Sequence, residues 1–240
     1  MTNIAERTLA SIVTEKYQTV AVLEKYSLDY CCKGKRTLSE ACIERGLAIE
    51  SISKELQDIA TNEETLRMPF MQMSAAELIS YILIYHHFYV KQSMPTIMSH
   101  IEKVAAKHGE RFPYMIKVRG LFAEIHKEMT THMHKEEHIL FPRIIEVEKI
   151  FVTDQKTSLA KGFISMPVHM METEHDQAGE ILYEIRELTN NYEAPAEACT
   201  TFKLCLTELK AFEEDLHRHV HLENNLLFPL AKKMFEVITA

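Results

Sequence analysis

The sequence predicts an all-α chain: an antiparallel bundle of four long helices preceded by a small helical module. Three observations point there. The 240 residues hold only 6 glycines and no Asn-Gly or Asp-Gly dipeptide, so a turn-rich β sandwich or barrel would lack its hairpins. Apolar positions recur at three- and four-residue steps, as in Ile181, Ile185 and Leu188. Helix start and stop signals punctuate the chain at matching intervals.

In the first region the pattern predicts helices over Glu6–Lys16, Thr37–Arg45 and Ile49–Ala60. Thr37-Leu38-Ser39-Glu40 reads as a capping box, and Gly46 sits where a left-handed glycine would end the helix. A module of about 60 residues builds a marginal core and is expected to dock on something. The joint is placed at Thr61-Asn62-Glu63-Glu64 through Met68-Pro69, giving units 1–65 and 66–240. In the second unit, the capping box Ser74-Ala75-Ala76-Glu77 opens a helix running to about Lys107, before Gly109. A second helix starts near Pro113 and runs to Leu140, before Phe141-Pro142. A third spans Met166-Pro167 to Leu188, and a fourth runs from Pro195 to about Leu227. Short connections make this an up-down antiparallel bundle.

Composition narrows the function. Hydrophobic residues at 46% and charged residues at 26% are an ordinary globular balance. A net charge of −8 argues against a nucleic-acid partner. The apolar run Leu78–Tyr85 falls well short of the ~18–20 residues of a membrane span, so no membrane partner is expected. The start of the chain has no signal-peptide core, and its five cysteines read as reduced thiols of a cytoplasmic protein. The unusual number is 13 histidines.

Five of them fall in an internal repeat. His132-Met-His-Lys-Glu136-Glu-His-Ile-Leu140-Phe141-Pro142 matches His219-Val-His-Leu-Glu223-Asn-Asn-Leu-Leu227-Phe228-Pro229, offset by 87 residues. Each copy follows a helix with its own histidine: His86 lies 46 residues before His132, and His175 lies 44 before His219. His132 and Glu136, like His219 and Glu223, are one turn apart on one helix face, about 6 Å along the axis. Two hairpins brought together would aim four imidazoles and two carboxylates at the bundle centre. Six donors are too many for one tetrahedral zinc site. They suit two metals, each with two imidazoles and both glutamates bridging, with room for an oxo or hydroxo bridge and a small ligand. Such nitrogen-rich sets favour iron, zinc, copper or nickel over magnesium or calcium.

His134 and His221, two positions from the ligands, face about 200° away round the helix. His87, His100, His126, His169 and His217 are read as surface residues or as lying outside the ligand set. Glu128, four residues before His132, and Glu174, beside His175, read either as orienting an imidazole or lining the entry path, or as ordinary solvated glutamates. Tyr30-Cys31-Cys32-Lys33-Gly34-Lys35-Arg36 stands apart, because its cations would lower a thiolate pKa. It reads either as a redox- or nitrosation-sensitive thiol pair or as two packed cysteines at a helix start.

Together these residues resemble the iron–sulfur cluster repair di-iron family over nearly the whole chain. Asp29 to Leu38 resembles its N-terminal double-cysteine motif. Tyr85-His86, His132 to Glu136, Glu174-His175-Asp176 and His219 to Asn225 resemble its hemerythrin-like domain. The resemblance implies a hemerythrin-like bundle with His86, His132, His175 and His219 as terminal ligands of two non-haem irons, bridged by Glu136 and Glu223. It places His108 where the family often has a further histidine, and Glu128 and Glu174 at acidic positions that shape access to the irons. The implied function is repair of clusters damaged by nitric oxide or peroxide, with a labile di-iron centre supplying iron to damaged iron–sulfur proteins. Two other readings stand beside it. One is a di-iron nitric oxide reductase forming nitrous oxide, with Cys31 and Cys32 supplying electrons. The other is a protein that binds or senses dioxygen or nitric oxide. A homodimer formed through the small module is a further expectation.

Overall fold

The computed structural model describes residues 3–61 and 70–240. The joint expected over residues 62–69, with the division at 65/66, lies outside the described residues.

The N-terminal region folds as four short helices: α1 (Leu9–Glu15), α2 (Val20–Lys25), α3 (Leu38–Arg45) and α4 (Ile49–Thr61). Helix α1 begins later than the apolar pattern suggested. The Thr8 hydroxyl accepts from the Ser11 amide and fixes the start there, leaving Ile4–Glu6 as a separate 3-10 turn. The capping box at Thr37 forms with both of its hydrogen bonds, and Gly46 ends α3 at φ 64°. A bridge between Thr8 and Thr37 joins the starts of α1 and α3, with Leu9 N–H on Arg36 O and Leu38 N–H on Arg7 O. Gly34 is required between them, because a Cβ there would lie 2.2 Å from the Tyr30 carbonyl oxygen.

Four long rods follow. The first is α5 (Ala75–Tyr81), a π segment at Ile82–His87 and α6 (Phe88–His108). The second is α7 (Tyr114–Lys135), a π segment at Glu136–Leu140 and α8 (Phe141–Val152). The third is α9 (Gly162–Leu188), without interruption. The fourth is α10 (Thr200–Leu222), a π segment at Glu223–Leu227 and α11 (Phe228–Thr239). Helices expected to stop before Phe141-Pro142 and at Leu227 therefore continue for another 12 residues each. The reason is the wide turn before each proline. Phe141 N–H bonds back to Glu136 O, and Phe228 N–H to Glu223 O, five residues rather than four. That slack accommodates a ring that would otherwise press on the carbonyl four residues earlier.

The core has two apolar halves. One contains Val90, Ile97 and Val104, then Val118, Phe122 and Ile125, then Leu182 and Ile185, and finally Phe202, Leu209 and Phe212. The other contains Leu78 and Ile82, Leu140 and Ile144, Ile164 and Val168, and Leu227 and Ala231. Along each rod the halves appear in opposite order to the next, as antiparallel packing requires. Between them lies a polar layer of buried histidines and glutamates. The small module does dock: Leu9, Leu23, Leu38, Ile52 and Leu56 join the first half of the bundle's core.

One ion pair lies inside that half. Arg186 of α9 donates to both Glu213 oxygens on α10 at 2.5–3.1 Å, both residues being buried. Removing the acid leaves a buried cation uncompensated. Glu213→Ala is expected to cost about 3–5 kcal/mol in urea unfolding. A loss under about 1 kcal/mol, the range of surface pairs, would show that Arg186 finds water instead.

Candidate metal centre

Five of the six donors expected from the repeat meet in the polar layer. His132 and Glu136 come from the second rod, His175 from α9, and His219 and Glu223 from the fourth rod. All are essentially buried, and both glutamates are 0% exposed. The donor atoms form two groups sharing those glutamates, each within 4.8 Å: His87, Glu136, His219 and Glu223, and His132, Glu136, His175 and Glu223. The first rod is where the structure departs from the expectation. His87, read as lying outside the ligand set, has a nitrogen in the first donor group, and His86, the expected donor, is in neither group. The π segment Ile82–His87 holds one residue more per turn than an α-helix, so the facing position falls one residue later than α-helical spacing gives.

The distances show what the layer is built for. His175 Nε2 lies 3.0 Å from His132 Nε2 and 3.2 Å from Glu223 Oε2. His132 Nε2 is 3.4 Å and His87 Nε2 3.3 Å from Glu136 Oε2. His87 Nε2 is 3.2 Å and Glu223 Oε1 3.0 Å from His219 Nε2. Both Glu136 oxygens and Glu223 Oε2 make no hydrogen bond, although buried. Outward, His132 Nδ1 donates to Glu174 at 2.9 Å, His175 Nδ1 to Asn224 Oδ1 at 2.9 Å, and His87 Nδ1 to Glu137 at 2.7 Å. A neutral imidazole that donates from Nδ1 presents a lone pair at Nε2. The His132–His175 pair therefore faces lone pair to lone pair beside carboxylate oxygens that lack partners. A cation satisfies all of them at once, and outer carboxylates on ligand imidazoles are the usual support of such a site. Nitrogen-rich donors with two shared carboxylates fit a pair of first-row transition metals.

The titration pattern describes the layer without a cation, where protons take the place of metal between its donors. Burial works against the charged form of His132, but the charge and hydrogen bond of Glu136, followed by the bond to Glu174, outweigh it and raise its pKa to about 10. Glu174, bonded to His132 and Lys135, is held at about 2. Burial pushes Glu136 and Glu223 up, yet the imidazoles around them bring both below the usual carboxylate range.

The other expected residues separate. Glu174 touches His132, and Glu128 lines a cavity of about 190 Å³ that reaches His132 beside Lys127, Lys135 and Gln177. His108 lies elsewhere, at the end of α6, with Nε2 3.3 Å from Cys199 Sγ. Twenty-two residues past His86 along one rod is about 33 Å, too far to serve the centre. His134 is exposed. His221 lies outside both donor groups and faces into the small module. It is buried 5.6 Å from the Tyr30 ring, and burial lowers its pKa to about 4. Cys31 and Cys32 are free thiols with sulfurs 3.7 Å apart, beside a cavity of about 750 Å³. Asp29 accepts from the Cys31 thiol and from both cysteine amides. The cations Lys33, Lys35 and Arg36 were expected to lower a thiol pKa. For Cys31 the opposite holds, because its hydrogen bond to Cys32, burial and the Asp29 charge push it well up. Cys32 Sγ approaches the His175 carbonyl oxygen at 3.5 Å, which puts the thiol loop one residue from the metal layer.

Sequence reasoning missed Asp215, Glu137 and Asn224. Asp215 had a signal: it precedes His219 by four residues, as Glu128 precedes His132. Glu136→Ala and Glu223→Ala are expected to lose bound metal, whereas His134→Ala keeps it, as measured by metal analysis after gel filtration. Glu174→Ala should weaken affinity roughly 10–100-fold in a chelator competition, the range for losing an outer-shell partner.

Comparison with known proteins places the chain among sequences of this design. Residues 78–231 match the family model described as the hemerythrin HHE cation binding domain, and residues 5–60 match one described as a domain of unknown function. Iron-sulfur cluster repair protein YtfE of Citrobacter koseri, of Escherichia coli O8 and of Shigella boydii serotype 4 are each 36% identical over 211 residues, covering 88% of this chain and 90% of theirs.

Proposed function

The chain belongs to the iron–sulfur cluster repair proteins built on a hemerythrin-type cation-binding domain, and on that premise we propose that it holds two ferrous irons in the polar layer and gives up iron to damaged iron–sulfur proteins. Lone pairs facing each other across 3.0 Å beside carboxylate oxygens without partners are the observation that carries this reading. His87 and His219 would hold one metal, His132 and His175 the other, and Glu136 and Glu223 would lie between them. Bound iron supplies ligand-exchange and redox chemistry toward dioxygen and nitric oxide, with a bridging oxide or hydroxide as its expected companion.

The residues set how firmly iron is held. Two carboxylates leave two ferrous ions with excess positive charge, so binding relies on neutral imidazoles. Outer carboxylates strengthen these by drawing on the Nδ1 proton. Glu174 shares its charge between His132 and Lys135, and Glu137 between His87 and Lys91. Both supports therefore depend on partly exposed side chains at the rim. The cavity of about 190 Å³ at His132 offers a route in and out past Glu128 and Glu174.

The test mixes the ferrous-loaded protein with a nitric oxide-damaged cluster protein and follows cluster absorbance. Recovery beyond that with equal free iron is expected. Recovery equal to free iron would sink the proposal. The Cys31→Ser, Cys32→Ser double variant should keep two irons per chain and restore clusters more slowly. Unchanged restoration would assign the whole task to the metal layer.

A further inference from the structure

Two consecutive histidines enter the bundle at one level. His87 reaches His219 and Glu136 with Nε2 and is held from behind by Glu137. His86 is nearly as deeply buried, at 4% exposure. Its ring lies parallel to that of His219, at 6° and 5.6 Å between centroids. Its Nδ1 is 3.0 Å from Asp215 Oδ1, and its Nε2 is buried without a hydrogen-bond partner. Each imidazole thus has a carboxylate on Nδ1, as metal ligands do, with Nε2 of His87 turned to Glu136 and His219 and Nε2 of His86 unpartnered. A histidine buried only for packing has both nitrogens satisfied.

Consecutive side chains on an α-helix point about 100° apart, so a regular helix presents one of the two to a given point. These two lie at the end of a π segment, where the helix carries one extra residue. Displacing that wide turn by one residue rotates one histidine away and brings the other round, while the rods on either side stay in register. No such choice exists for the second metal. His132 stands between Thr131 and Met133, and His175 between Glu174 and Asp176. Helix α9 has no wide turn.

We propose that His86 and His87 take turns at one coordination position of the metal that His219 holds, exchanging by a one-residue displacement of the π segment. The exchange lets one bond to the metal open while the other imidazole keeps the ion in place. Asp215, with Oδ2 buried and without a partner, is the positioning residue for the His86 state. This inference rests on the two-iron reading above.

The full chain loaded with ⁵⁷Fe(II) is studied by frozen-solution Mössbauer spectroscopy and by ferrous chelator competition. The wild type is expected to show one iron in a single environment and the other split between two. His86→Gln and His87→Gln should each collapse the split and keep two irons. The second should bind within a factor of about two of wild type, the weight of two interchangeable states against one. The double variant should lose that iron by at least the roughly 10–100-fold seen when an outer partner is removed. Asp215→Asn, which opens no cavity, should move the split toward the His87 form at unchanged iron content. A single variant that loses iron as badly as the double, or a wild type whose second iron has one environment, would overturn the turn-taking. An unchanged split in Asp215→Asn would count against it too. A wild-type chain that binds fewer than two irons would sink the two-iron reading itself, a result separable from all of these.

Discussion

Two carboxylates buried at 0% exposure between apolar halves set the terms for the rest of the structure. Taking one ionised carboxylate out of water costs several kcal/mol even after relaxation, and Glu136 and Glu223 face the same small space. Nothing in the apolar layers on either side offsets that cost. The offset comes from the imidazoles packed around them, which bring both carboxylates below their usual range. Four rods deliver imidazole nitrogens to within 3.0–3.4 Å of one another or of the carboxylates. Outer acids fix the ring orientations. The wide turns place Glu136 and Glu223 each at the start of a π segment, where the helix departs from regular spacing.

The duplication gives this layer its near symmetry, and the first rod breaks it. Glu136 and Glu223 occupy equivalent places, as do His132 and His219. The helices that precede them are not equivalent. The rod ending in α6 has a π segment with two buried histidines, whereas α9 runs unbroken with one. Outer support is uneven as well. His132 is backed by Glu174, but His219 Nδ1 is buried without a partner. Two metals in such a layer would be alike in donor type and unlike in how rigidly their donors are held.

How much of this was legible in the sequence follows from what periodicity encodes. Capping boxes at Thr37 and Ser74 formed as read, because they depend on residues three apart. The spacing of His132 to Glu136 and of His219 to Glu223 put those pairs on one face, since one α turn separates them whatever happens downstream. His86 and His87 were a different matter. Choosing between neighbours needs the helical phase to within about half a residue step, and the π segment shifts it. The same extra residue concealed the continuation of the rods through Pro142 and Pro229, where proline normally marks an end. Burial of His221 was illegible for another reason: it depends on a neighbour, Tyr30, nearly two hundred residues away in sequence.

That neighbour shows why the small module belongs to the site's construction. Its helices complete the apolar half that encloses one side of the metal layer, so water is kept from the layer partly by residues of another unit. Tyr30 covers His221 and donates to Glu24, which in turn accepts from Arg218, the residue next to His219. Two residues on from Tyr30, Cys32 rests against α9, with its sulfur on the carbonyl of His175 itself. The thiol loop thus touches the backbone turn that carries His175 of the polar layer. The module's marginal core and the metal layer's need for a dry wall are met by the same contacts.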